Sequence, residues 1–91
     1  MTKKVGKREI NKQIVQKFRN YIRAIGLEGE LNVFPVENVA TKRARFWEDG
    51  DGYWMKILMW SVNTLDNQEL EQEIEARVAE AVCYFDLEPK K

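Results

Sequence analysis

From Lys7 to Ile25 the apolar residues Ile10, Ile14, Val15, Phe18, Tyr21, Ile22 and Ile25 recur at spacings of three and four, with polar residues between them. That period predicts one amphipathic helix. Gly6 can act as its N-cap with Glu9 at the third helical position, and Val5 can pack on Ile10 as a hydrophobic staple. At the far end Gly26 suits the left-handed residue that stops a helix, and a Schellman turn there folds Leu27 back onto Ile22. A second helix is expected from Asp66, where Asp66 and Glu69 have the capping-box spacing and Leu65 with Leu70 forms another staple. Its buried stripe reads Leu70, Ile74, Val78, Ala81, Val82 and Phe85, and Pro89 ends any continuation.

Between the helices the period changes to two. Glu30 to Phe34 reads as a short strand, Pro35 to Asn38 as a turn, and Val39 to Glu48 as an alternating strand. The run Asp49-Gly50-Asp51-Gly52 is a turn signal, and Tyr53 to Val62 reads as a strand rich in aromatic and branched residues. The expected fold is therefore α+β in the order α-β-β-β-α, a three-stranded antiparallel sheet with two helices packed on one face. Residues 1–91 form a single domain in this reading, with 1–5 and 89–91 as loose tails.

A loop centred on Gly50 and Asp51 sets Glu48 opposite Tyr53, Trp47 opposite Trp54, Phe46 opposite Met55, Arg45 opposite Lys56 and Thr41 opposite Trp60. One sheet face then carries Ala40, Ala44, Phe46, Tyr53, Met55, Ile57 and Met59, extended by Leu31 and Val33, and forms the floor for the helices. Lys42 falls on this face and must snorkel to its rim. The other face carries Arg43, Arg45, Trp47, Trp54, Lys56, Leu58 and Trp60. Two helices cover only one side of such a sheet, so the second face is left to solvent or to a partner. Trp and Arg dominate binding hot spots, and the same groups stack unpaired bases and neutralise phosphates. The alternative is structural: a cross-strand Trp47–Trp54 pair with cations packed over the indoles.

Tyr53 to Val62 is apolar on nearly both faces. At the edge of a meander it would be an aggregation hazard, which a homodimer pairing two such strands would remove, as would a central position in the sheet.

Charge adds a second candidate surface. The 91 residues hold 15 basic and 15 acidic side chains, yet residues 1–27 carry eight basic and one acidic, and residues 66–88 carry eight acidic and one basic. Along the first helix Arg8, Lys12, Arg19 and Arg23 line one edge beside the apolar stripe. The row could follow phosphates or an acidic protein surface, or pair with the acidic second helix within the molecule or across a dimer.

Chemistry is restricted by what the chain lacks. There is no His and only one Cys, Cys83, which removes the commonest general base, the commonest metal ligand, any internal disulfide and a CxxC zinc clamp. The Asp49-Gly50-Asp51-Gly52 run has Trp60 where a calcium loop needs its bidentate Glu, so it is a turn. Glu48, Asp49, Asp51 and Lys56 near the hairpin tip lack the acid two residues before the Lys that a nuclease metal site would use. No enzyme, cofactor or metal is expected, and Cys83 reads as a structural thiol at the margin of the buried stripe. No apolar run approaches the ~20 residues that span a bilayer, and a lone Cys fits a cytoplasmic setting.

The order α-β-β-β-α resembles that of double-stranded RNA-binding domains, which grip phosphates with a basic start to their second helix. Here that turn reads Asp66, Asn67, Gln68, Glu69, which repels phosphate, so the resemblance stops at element order. The leading expectation is a small homodimeric, non-enzymatic regulator, adaptor or inhibitor, of the kind phages and accessory elements encode, binding a protein partner through the Trp and Arg face. The competing expectation is a nucleic-acid binder using that face or the helix row, against which stands a pI near 6.3.

Overall fold

The computed structural model describes residues 7–37 and 44–90. Helix α1 runs Lys7–Ala24, strand β1 Leu31–Val36, β2 Phe46–Asp49, β3 Gly52–Leu58, the short helix α2 Met59–Val62, and α3 Asn67–Phe85. The chain is α+β, with one three-stranded sheet ordered β1-β3-β2.

Both long helices form where the period of their apolar residues places them. Helix α1 ends as expected in a Schellman turn: Gly26 sits at φ +83, its N–H donates to Arg23 O at 3.0 Å, and Leu27 N–H donates to Ile22 O at 3.0 Å. The Gly6 cap, the Val5 staple and the tail 1–5 lie outside the described residues. Helix α3 opens on the expected capping box, Glu69 N–H donating to Asp66 Oδ1 at 2.8 Å and Asp66 N–H to Glu69 Oε1 at 3.0 Å. It stops at Phe85, before Pro89 can act. Asp86 takes a left-handed conformation, φ 55, and Leu87 N–H returns to Val82 O at 2.9 Å, a second Schellman turn made without glycine. Beyond it the chain is held at Lys90, whose N–H donates to Ile25 O at 2.8 Å and whose ammonium pairs with Glu30.

The hairpin register is as the sequence predicts, with Trp47 opposite Trp54, Glu48 opposite Tyr53 and Phe46 opposite Met55. Lys56 N–H donates to Arg45 O at 2.9 Å, which carries the pairing one residue further. Asp49 Oδ1 accepts from Asp51 N–H at 2.9 Å and fixes the two-residue loop.

The sheet itself differs from the expected antiparallel meander. Strand β1 pairs with β3 in parallel, Leu31 opposite Tyr53 through Val36 opposite Leu58, so β3 is the central strand. This removes the edge on which the case for dimerisation by strand pairing rested. Pro35 and Val36 belong to β1 rather than to a turn, because Pro35 sits on the unpaired edge, where a missing N–H breaks no ladder bond. Strand β2 has four residues; positions 39–43 of the long strand expected there, and Asn38 of the expected turn, lie outside the described residues, Lys42 and the Thr41 partner of Trp60 included. The third strand stops at Leu58, and Met59 to Val62 turn into α2. Met59 and Val62, three apart, both bury their side chains, and a continuous apolar run carries no period that separates strand from helix.

One core joins these elements. Ile14, Phe18 and Ile22 of α1, Leu31 and Val33 of β1, Met55 and Ile57 of β3, Met59 and Val62 of α2, and Ile74, Val78 and Ala81 of α3 form a single buried cluster. Phe46 and Tyr53, expected in its floor, are half-buried against it.

The parallel joint depends on Gly52. Its φ is +126, and a Cβ there would lie 2.7 Å from Glu30 O, the acceptor of Tyr53 N–H. Gly52→Ala is therefore expected to destabilise the fold by about 1–3 kcal/mol. Gly50→Ala, which meets nothing within 4 Å, should stay within about 1 kcal/mol of the parent. Urea unfolding of both variants checks the contrast.

Candidate binding surface

The β2–β3 hairpin brings Trp47 and Trp54 together on the sheet face away from the core cluster. Their rings are parallel, 1° apart in plane with centroids 5.9 Å apart. Phe34 of β1, opposite Lys56 of β3, stands edge-on to both, at 5.3 Å from Trp47 and 6.3 Å from Trp54. The Trp54 indole N–H donates to Asp49 Oδ1 at 2.9 Å, so the acid that shapes the turn also fixes the ring. All three rings are half-buried. The sequence reading missed Phe34, although strand alternation sets it on the opposite face from Leu31 and Val33.

The rest of the expected face is divided among other neighbours. Arg43 lies outside the described residues. Arg45 turns to α3, its guanidinium 2.6 Å from Glu80 and 5.5 Å from the centre of the Phe46 ring. Glu80 also takes Arg77 at 3.0 Å, and Arg77 takes Glu73 at 2.7 Å. Lys56 and Leu58 line a cavity of about 240 Å³ with Arg45, Ser61, Glu73 and Arg77. Trp60 is carried off the sheet by α2, where it is exposed. Trp47 and Trp54 are thus the part of the predicted aromatic face that stays together, while Arg45 is turned to Glu80.

The basic edge of α1 comes to the same face from the side. Arg19 and Arg23 line a cavity of about 180 Å³ with Asn32 and Trp54. Lys12 and Arg19 line a second, of about 310 Å³, with Asn11, Gln16, Pro35 and Glu37. Two surfaces that look separate in the sequence therefore meet at Arg19. The side chain of Arg8 lies outside the described residues. Arg23 pairs with Glu28 at 3.1 Å, while Lys12 and Arg19 have no ion pair among the described residues. Nor, among those residues, does any ion pair join α1 to α3, contrary to the expected intramolecular pairing. Lys17 shares a groove with Glu71 and Glu75 without closing a bond to either.

Other features were not visible in the sequence reading. Asn11 is buried in α1 and accepts a long hydrogen bond, 3.4 Å, from the Asn63 amide. Tyr84 is 63% exposed, stacked on Phe46 at 4.6 Å, and an aromatic residue off the buried stripe of α3 was the available signal. Cys83 is exposed rather than part of the core margin.

Among the described residues no helix is long and apolar enough to cross a membrane, and no group of three or more Cys, Asp or Glu side chains is placed to hold a metal ion. The chain matches no protein-family model, no curated protein and no solved structure.

Replacing Phe34 with Leu keeps most of the buried area but removes two edge-to-face contacts, for an expected loss of about 0.5–1.5 kcal/mol. Arg45→Ala breaks one half-exposed ion pair and an exposed contact with the Phe46 ring, and should cost no more than about 1 kcal/mol. Thermal unfolding of both variants checks the ranking.

Proposed function

We propose that this chain is a small non-enzymatic binding module, and that it captures a protein partner where the Trp54 edge of the aromatic triad meets Arg19 and Arg23. The observation that carries the reading is the cavity those three side chains share with Asn32. A large rigid aromatic beside two guanidiniums is the composition of a binding hot spot, because one group supplies apolar area and the other two supply directed charge. The reading differs from one built on the whole sheet face, since Arg45 is committed to Glu80 and Trp60 stands on α2. Both sides of β3 are occupied within the sheet, so the partner is a different surface rather than a second copy of that strand. A cytoplasmic setting agrees with the single exposed thiol.

Arg19 is exposed, so Arg19→Glu leaves the fold intact and weakens partner binding by roughly tenfold or more, about 1.4 kcal/mol. Trp54→Ala is expected to do the same, with thermal unfolding measured beside it. Affinity capture from cell extract with wild type and Arg19→Glu as parallel baits decides the reading. The same set of proteins retained by both would sink it.

A second reading is favoured by the same juxtaposition, since a base stacked on Trp54 would set its phosphate near Arg19 and Arg23. It predicts that oligothymidylate quenches intrinsic Trp fluorescence, and that affinity falls as salt rises.

A further inference from the structure

Two cavities that share Arg19 lie between α1 and the edge strand β1, and the backbone wall of the groove they outline says what it can hold. This inference rests on the binding-module reading and concerns the chemistry of the occupant. Tyr53 N–H donates to Glu30 O at 2.9 Å, and in a parallel ladder that bond turns the even-numbered residues of β1 toward β3. Leu31, Val33 and Pro35 therefore direct their backbone polar groups away from the sheet. Leu31 N–H is already taken by Leu27 O at 3.0 Å, and Pro35 has no N–H. What remains along the edge is one donor, on Val33, among three carbonyl acceptors.

The facing wall is cationic. Lys12 and Arg19 have no ion pair among the described residues, and Arg23 holds only the exposed Glu28. From Lys12 to Arg23 the helix rises about 16 Å, the length of roughly five extended residues. A ligand matched to both walls must donate hydrogen bonds from its backbone and carry negative side chains. A DNA strand brings the charge, but its sugar-phosphate backbone has no donors for the carbonyl row. A peptide has an N–H at every residue except proline.

We propose that the groove binds an extended acidic segment of a partner protein, laid beside β1. Its N–H groups donate to the carbonyls of Leu31, Val33 and Pro35, one of its carbonyls accepts from Val33 N–H, and alternate carboxylates face Lys12, Arg19 and Arg23. The spent Leu31 N–H and the missing Pro35 N–H bias the edge against ordinary strands, which offer as many acceptors as donors, and leave charge to select the occupant.

The test is selection of a displayed library of random short peptides on the intact protein. The expected outcome is enrichment of peptides with Asp or Glu at alternate positions and without proline. The most enriched peptide is then titrated by fluorescence anisotropy. N-methylation of its alternate residues, or Arg19→Glu in the protein, should each weaken binding by roughly tenfold, and raised salt should weaken it further. Enriched peptides without acids, or equal binding of the N-methylated peptide, overturn the proposal. Oligothymidylate binding more tightly than any peptide, with the same dependence on Arg19, overturns the occupant but keeps the groove as the binding surface. Failure of peptides and oligothymidylate alike removes both.

Discussion

Strand β3 carries apolar side chains on both faces, and such a strand is stable only when its backbone is paired on both sides and its faces are covered. The order β1-β3-β2 meets that requirement. It gives the two edges to strands that tolerate them: β1, with Pro35 on its outer side, and β2, four residues long and ending in Glu48 and Asp49. The parallel joint between β1 and β3 brings Glu30 O within bonding distance of Tyr53 N–H. Only a glycine at position 52 leaves room for that approach. The inner side of β3 then supplies Met55 and Ile57 to the core, and its outer side supplies Trp54 to the triad.

Much of this was legible in the sequence, and the part that was not has a common cause. Helix α1 with its Schellman turn, the α3 capping box and the Trp47–Trp54 register follow from interactions within about five residues of sequence or from a two-residue loop, where local chemistry decides. The parallel pairing joins segments about twenty residues apart, and no local pattern encodes which strand lies between two others. The end of β3 was hidden for another reason. Ile57 through Trp60 are all apolar, so neither period is visible, and only the burial of Met59 together with Val62 shows the helical turn.

The candidate site divides along the same line. Trp47 and Trp54 were found because the hairpin fixes them. Arg45 was misplaced because its direction is set by Glu80, thirty-five residues on, and a guanidinium at the end of a short strand follows its nearest carboxylate rather than strand alternation. The junction of Arg19 with Trp54 could not be read at all, since it exists only because β1 is an edge strand and α1 lies alongside it.

The charge segregation of the chain bears on function once these contacts are known. Zero net charge would be unremarkable if α1 and α3 cancelled one another, but no ion pair joins them among the described residues. The carboxylates of α3 that do pair, Glu73 and Glu80, are bonded to Arg77 of the same helix and to Arg45. Helix α1 keeps Lys12 and Arg19 uncompensated on the edge turned to β1, away from the Lys17 side that faces Glu71 and Glu75. Exposed charges add little to stability, so folding alone does not require that arrangement. A concave surface in which the cations Lys12, Arg19 and Arg23 outnumber the carboxylates Glu28 and Glu37 raises the encounter rate of an acidic chain, and the acidic face of α3 repels such a chain from the other side. Among the described residues the two fields therefore favour the approach of the acidic segment proposed above onto the α1–β1 groove.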